Sequence, residues 1–206
     1  GYSLGGDDAR FAEGLRDVCE TYAVPLLGGD TVRGTGPRSF GLTAIGRATH
    51  TPVPDRRGAG IGDAIYVTGT LGAAMLAFEA LRDGTGADSI AYCRPRPLLA
   101  EGRALAPVVT AMMDVSDGLL LDCWRMARAS HATFQLDSEA FPVADPARRD
   151  ECVRWGDDYQ LLFTAPADLT LPVAASRIGT VTEQDIAALW VDGTILTPED
   201  GLGYQH

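Results

Sequence analysis

Three groups of aspartates stand at turns where a hard cation could be held. Asp30 follows the short apolar run 24–27 and Gly28-Gly29. Asp114 and Asp117 bracket the start of a helix in Met112-Met113-Asp114-Val115-Ser116-Asp117-Gly118-Leu119. Asp157 and Asp158 follow Trp155-Gly156 and lead into Tyr159-Gln160-Leu161-Leu162-Phe163. Mg²⁺ takes oxygen ligands, commonly one or two carboxylates together with phosphate oxygens and water, so carboxylates collected at loop ends suit a metal–nucleotide complex. Aspartate is also a common turn and N-cap residue, and Ser116 or Asp117 could do no more than cap a helix. A cap accounts for one residue of the group and leaves Asp114 as a charge at a strand end after an apolar pair, which favours a site at 114–118. The helix start just beyond supplies N–H groups that favour an anion.

Arg47 lies directly after an expected strand and Gly46, where its guanidinium could grip a phosphate or, equally, a surface carboxylate. Arg94-Pro95-Arg96-Pro97 is a stiff basic segment that suits a phosphate contact or a helix lead-in. His50, His131 and His206 have no Ser or Cys in a nucleophile setting and Gly-x-Ser-x-Gly is absent, which argues against serine or cysteine hydrolase chemistry. All 17 basic residues are arginine. With no lysine there can be no Schiff base, no P-loop lysine and no protein-kinase strand lysine. Any handling of phosphate rests on arginine, backbone N–H groups and metal ions.

The elements that must position these residues fit into 206 residues, room for one large domain or two small ones. Apolar residues make up 46% and charged residues 22%, ordinary for a globular chain, and no apolar run is long enough to span a membrane. A formal charge of -11 argues against nucleic acid as a partner. Cys19, Cys93, Cys123 and Cys152 form no C-x-x-C pair, so neither a zinc site nor a thioredoxin-like motif is suggested, and a reducing cytoplasm is the expected setting. The start of the chain shows no signal peptide.

Phe11, Leu15, Val18, Cys19 and Tyr22 recur at helical spacing after Asp7 and Asp8, either of which can cap the helix. Strands are expected over 24–27, 40–45, 64–67, 134–136, 160–163, 178–181 and 189–191, the last turning through Asp192-Gly193 as a hairpin. Helices are expected over 73–82, 98–106 and 117–129. Residues 49–62, rich in Pro, Gly and Arg, read as a linker with a domain boundary near residue 58. Interleaved strands and helices predict an α/β or α+β layered fold.

In this order and spacing, the motifs resemble the thiamine-monophosphate kinase family, within the superfamily named for aminoimidazole ribonucleotide synthetase. The matching stretches are Leu27-Gly28-Gly29-Asp30-Thr31-Val32-Arg33-Gly34, Gly46-Arg47-Ala48, Gly62-Asp63-Ala64 through Gly69-Thr70-Leu71-Gly72, Arg94-Pro95 with Pro97, Asp114-Val115-Ser116-Asp117-Gly118-Leu119 with Asp122, Asp158-Tyr159 with Leu161 and Phe163, and Gly203-Tyr204 with His206. The resemblance implies transfer of the γ-phosphoryl group of ATP to thiamine monophosphate with Mg²⁺, in the cytoplasm and in a homodimer, without a covalent nucleophile. It assigns Asp30, Asp114 and Asp117 to metal, Gly29, Arg47 and Ser116 to ATP, and Asp157 and Tyr204 to substrate. It makes residues 1–57 the C-terminal part of an N-terminal ATP-binding and dimerisation domain, and 58–206 a C-terminal domain with a mixed sheet.

Two departures accompany it. Where the family reads Gly-Gly-Glu-Asp-Tyr-Glu-Leu, this chain has Trp155-Gly156-Asp157-Asp158-Tyr159-Gln160-Leu161, one methylene shorter at the substrate carboxylate. The family also carries further sequence before this point, including a Gly-Asp-Asp metal motif that Gly6-Asp7-Asp8 imitates at the wrong distance from Gly28. The alternatives are another ATP-dependent enzyme of the superfamily, such as a selenophosphate synthetase or a hydrogenase-maturation dehydratase, and a non-catalytic module that binds a nucleotide or a partner.

Overall fold

The computed structural model describes residues 6–32, 35 and 39–204, so Arg33, Gly34 and His206 of the quoted motifs lie outside the described residues. The chain divides into two compact units, residues 1–46 and 47–206.

In the smaller unit, α1 (Gly6–Thr21) turns Leu15 and Cys19 partly inward, Tyr22 just beyond its end is likewise partly buried, and Phe11 stacks its ring on Phe40 with centroids 4.5 Å apart. The helix already includes Gly6, so Asp8 sits within its first turn; the position ahead of the helix lies outside the described residues. Residues 24–27 and 40–45, expected as strands, are irregular and exposed. A strand exists only through a hydrogen-bonded partner, and among the described residues this unit contains no strand to supply one.

The larger unit is one seven-stranded sheet. Its strands are β1 (Ala64–Val67), β2 (Ala111–Val115), β3 (Thr133–Leu136), β4 (Gln160–Ala165), β5 (Ser176–Thr182), β6 (Leu189–Val191) and β7 (Thr194–Leu196), in the order β2-β4-β1-β5-β3-β6-β7. All neighbours are antiparallel except β3 and β6, so the sheet is mixed. Alternation along β1 explains why this four-residue strand is wholly buried. Ile65 and Val67 enter one cluster with Val115, Phe134, Leu162 and Ile178, while Ala64 and Tyr66 enter a second with Leu105, Phe163 and Ala165.

The first cluster is sealed by α5 (Leu119–Ala129), whose Leu119, Leu120, Cys123, Met126 and Ala127 recur at three- and four-residue steps. The remaining helices are α2 (Ala73–Arg82), α3 (Ile90–Cys93), α4 (Leu99–Leu105) and α6 (Arg149–Trp155). The segment expected as a linker is bound into this unit at its second half. Gly58 and Ala59 donate to Ser130 Oγ, that hydroxyl donates to the Arg56 carbonyl, and the Asp55 carbonyl accepts from Met112 N. Among the described residues no helix is long and apolar enough to cross a membrane.

Candidate active site

Strand β2 ends in the loop 116–118, and β3 and β5 lie far from it in the sheet order. Asp114, opposite Leu161 of β4, is exposed near the end of β2. Neither Ser116 nor Asp117 caps α5. The N-cap is Gly118, which has no side chain, and the anchoring comes from within the helix. Asp122, completely buried in its first turn, folds back so that one carboxylate oxygen accepts both the Ser116 and the Asp117 N–H, each at 3.1 Å. The Arg125 guanidinium donates to the other Asp122 oxygen at 3.0 Å and to Asp117. Burial pushes the Asp122 carboxyl above its ordinary range, against the opposing pull of the Asp117 N–H and Arg125. The 116–117 backbone amides therefore serve Asp122 and are not available to an anion.

The second loop, 156–159, is held to the first by backbone bonds. Asp157 N donates to the Ser116 carbonyl and Tyr159 N to the Val115 carbonyl, both at 2.9 Å. Gly156 has φ 90°, and a Cβ there would collide with the Ser116 carbonyl, so the approach of the two loops requires glycine. Asp157 and Tyr159 themselves adopt φ 57° and 50°, uncommon for residues with a Cβ and a mark of a loop held by its surroundings. The Tyr159 hydroxyl donates to Asp157 at 3.2 Å. Burial, the Asp157 charge and, more weakly, Asp114 and Asp117 push that phenol up, so one negative field covers all three carboxylates.

Asp158 has a different task from the one its place in the acidic group suggests. Its carboxylate accepts from Gly72 N at 2.7 Å and Ala74 N at 3.1 Å, fastening the first turn of α2. Burial raises its carboxyl to about 6, although these N–H bonds oppose the rise. With the unfolded value near 3.8, protonated Asp158 adds stability that is fully present below about pH 4 and lost as pH rises through 6, on the order of 3 kcal/mol. Carboxyl NMR should find its midpoint near pH 6. Asp158→Asn should remove the corresponding fall in unfolding free energy between pH 4 and 6; a midpoint near 4 and an unchanged slope contradict this.

The C-terminal segment completes the cluster. Leu202 is fully buried in the main core and anchors it, while the Tyr204 side chain is 60% exposed and its N–H donates to the Asp117 carbonyl at 2.8 Å. The lead-in to Tyr204 thus has apolar packing that its two glycines conceal.

The structure brings Asp114, Ser116, Asp117, Asp157 and Tyr204 together around the end of β2. Gly29 and Asp30 belong to the smaller unit, where both are exposed and Asp30 accepts from Thr31 N at 2.8 Å; Arg47 is exposed at the start of the larger one. Among the described residues no three His, Cys, Asp or Glu are gathered closely enough to hold a metal by themselves. Asp114 and Asp117 fit instead the partial set that Mg²⁺ takes when phosphates and water supply the rest. Sequence reasoning reaches Asp122 only as part of a motif and misses Arg125 and Arg154. Their signal was the i,i+3 pairing of Asp122 with Arg125 and the i,i+4 pairing of Asp150 with Arg154.

A mixed sheet covered by α5 carries the carboxylate cluster at the loop after β2. Residues 60–192 match the family described as AIR synthase related protein, C-terminal domain, and the chain belongs to that family. Among its relatives, the thiamine-monophosphate kinase of Escherichia coli K12 is 35% identical over 175 residues, covering 76% of this chain and 52% of that protein. That of Halobacterium salinarum is 36% identical over 189 residues, covering 84% and 64%. A solved structure, AaThiL complexed with AMPPCP and TMP, superposes with a TM-score of 0.64 at 28% identity over 70% of this chain and 52% of that one. The chain spans about half to two thirds of the length of these relatives.

Proposed function

We propose that the protein transfers the γ-phosphoryl group of ATP to the phosphate of thiamine monophosphate, giving thiamine diphosphate and ADP. The observation that carries this reading is the convergence of the Asp114–Asp117 loop, Asp157 and Tyr204 around one strand end. Kinases of that specificity among the relatives, and the AMPPCP and TMP bound by one of them, support it. Residues 1–57 would belong to an ATP-binding and dimerisation domain and 58–206 to the C-terminal domain, in a cytoplasmic homodimer.

An oxygen of the thiamine monophosphate phosphate attacks the γ-phosphorus in line, and the bond to the β–γ bridging oxygen breaks as ADP leaves. This chemistry is governed by positioning and charge neutralisation. Asp114 and Asp117 would hold Mg²⁺, which when bound neutralises phosphate charge, and the resemblance assigns the same role to Asp30 of the smaller unit. Gly29, Arg47 and Ser116 orient ATP. Asp157 and Tyr204 orient the substrate, Tyr204 by laying its exposed ring on the flat thiamine rings, with cation–π attraction to the thiazolium contributing about 0.5–2 kcal/mol. Arg125 holds Asp117 at a fixed angle while Asp122 holds its amide.

Calorimetry tests the reading: the full-length protein should bind thiamine monophosphate, and should bind ATP only with Mg²⁺. A protein that binds neither is a partner-binding module. Tyr204→Ala should raise the KM for thiamine monophosphate several-fold with that for ATP nearly unchanged, and Tyr204→Phe should be mild. Equal weakening of both by the alanine variant would remove Tyr204 from the substrate site.

A further inference from the structure

Three stretches of backbone, 116–118, 154–157 and 200–204, meet at Asp117 with almost no side chain between them. A Cβ on Gly118 would stand 2.7 Å from the Arg154 carbonyl oxygen, and one on Gly203 would collide with the Asp117 carbonyl. That same carbonyl accepts the Tyr204 N–H at 2.8 Å. Arg154, near the end of α6, reaches across the gap. Its Nη1 donates to the carbonyls of Asp200 at 3.1 Å and Gly201 at 2.9 Å, while its Nε pairs with Asp150 at 2.7 Å. One guanidinium thus ties the turn Pro198–Asp200 to α6, and Leu202, buried in the core, fixes the next step of the chain.

We infer that Arg154 is a positioning residue, and that the Asp117 peptide it helps to seat couples the two halves of the site. The inference rests on the functional reading above, in which Ser116 and Asp117 serve the metal–nucleotide complex and Tyr204 the thiamine phosphate. Asp117 presents its carboxylate to the first and its carbonyl to the second. Tightening of the 116–118 loop by Mg²⁺ and nucleotide fixes the acceptor of the Tyr204 amide and so orders the tail that carries the aromatic contact. By linkage, thiamine monophosphate must strengthen nucleotide binding by the same factor. The Asp200 and Gly201 carbonyls are held by a side chain from another element, so the coupling should be lost when that side chain is shortened.

The test compares wild type, Arg154→Gln and Arg154→Lys in the full-length protein, with Mg²⁺ and a non-hydrolysable ATP analogue as one probe and thiamine monophosphate as the other. In wild type, the analogue should tighten thiamine monophosphate at least about fivefold, the lower end of ordinary coupling. Arg154→Gln should bring that factor close to one, weaken thiamine monophosphate alone several-fold, and leave the analogue alone within twofold. Arg154→Lys, which can still reach one carbonyl, should fall between. Hydrogen exchange at the Tyr204 amide should accelerate in Arg154→Gln. Unchanged exchange there, or the same coupling factor in wild type and Arg154→Gln, overturns the inference. Binding of both ligands to wild type without coupling overturns it alone, whereas binding of neither also overturns the functional reading.

Discussion

Asp114→Asn and Asp117→Asn should each cut turnover by at least about a hundredfold in the full-length protein, the scale seen when a group that stabilises transition-state charge is removed. Both side chains keep their shape in the amide, which loses the charge and exchanges one acceptor oxygen for an NH2 donor, so the fold should survive. For Asp117 the loss has a second source, because the neutral amide holds Arg125 less firmly and the guanidinium swings toward Asp122. Raising Mg²⁺ should partly rescue Asp114→Asn, the exposed member, more than Asp117→Asn. Steady-state assays across a Mg²⁺ series decide the matter. Wild-type turnover in both variants at limiting Mg²⁺ would return these aspartates to a structural role.

The second large effect falls on stability. Asp122 is completely buried, and Asp122→Ala takes the acceptor from two backbone N–H groups and one partner from Arg125. Breaking a buried pair from one side costs about 3–5 kcal/mol, a large share of the 5–15 kcal/mol available to a domain. All three tryptophans, Trp124, Trp155 and Trp190, lie in the larger unit, so urea unfolding followed by their fluorescence reports on it directly. A loss below about 1 kcal/mol would mean that the 116–118 loop is held by the packing around Gly118 and Gly156 rather than by the Asp122 carboxylate.

Those two predictions rest on residues that sequence reading reached unequally, and the difference is physical. Residues 73–82 are legible from helical apolar spacing, and 64–67 and 189–191 from short apolar runs, because the tertiary structure agrees with these local signals. Runs 24–27 and 40–45 carried the same apolar signal and are not strands, since pairing depends on a neighbour that no local pattern encodes. The α6 helix is hidden by its brevity, although Asp145-Pro146 ahead of it opens a short 3-10 turn, with the Asp145 carboxylate accepting from Ala147 N at 3.0 Å.

In the site, the grouping of Asp114, Ser116 and Asp117 was visible as spacing. That none of them caps the helix was not, because the anchoring carboxylate sits after the loop, at Asp122. The roles of Asp157 and Asp158 also separate only in three dimensions. Adjacent in sequence, one faces the Tyr159 hydroxyl and the other secures α2, 84 to 86 residues away along the chain.

The most direct measurement is phosphorus NMR of the full-length protein incubated with ATP, Mg²⁺ and thiamine monophosphate. Thiamine diphosphate and ADP should appear in equal amounts, with no inorganic phosphate, and label placed on the γ-phosphorus should be recovered in the terminal phosphate of thiamine diphosphate. Release of inorganic phosphate with thiamine monophosphate left unchanged, or ATP left intact at saturating Mg²⁺, would contradict direct transfer between the two phosphates.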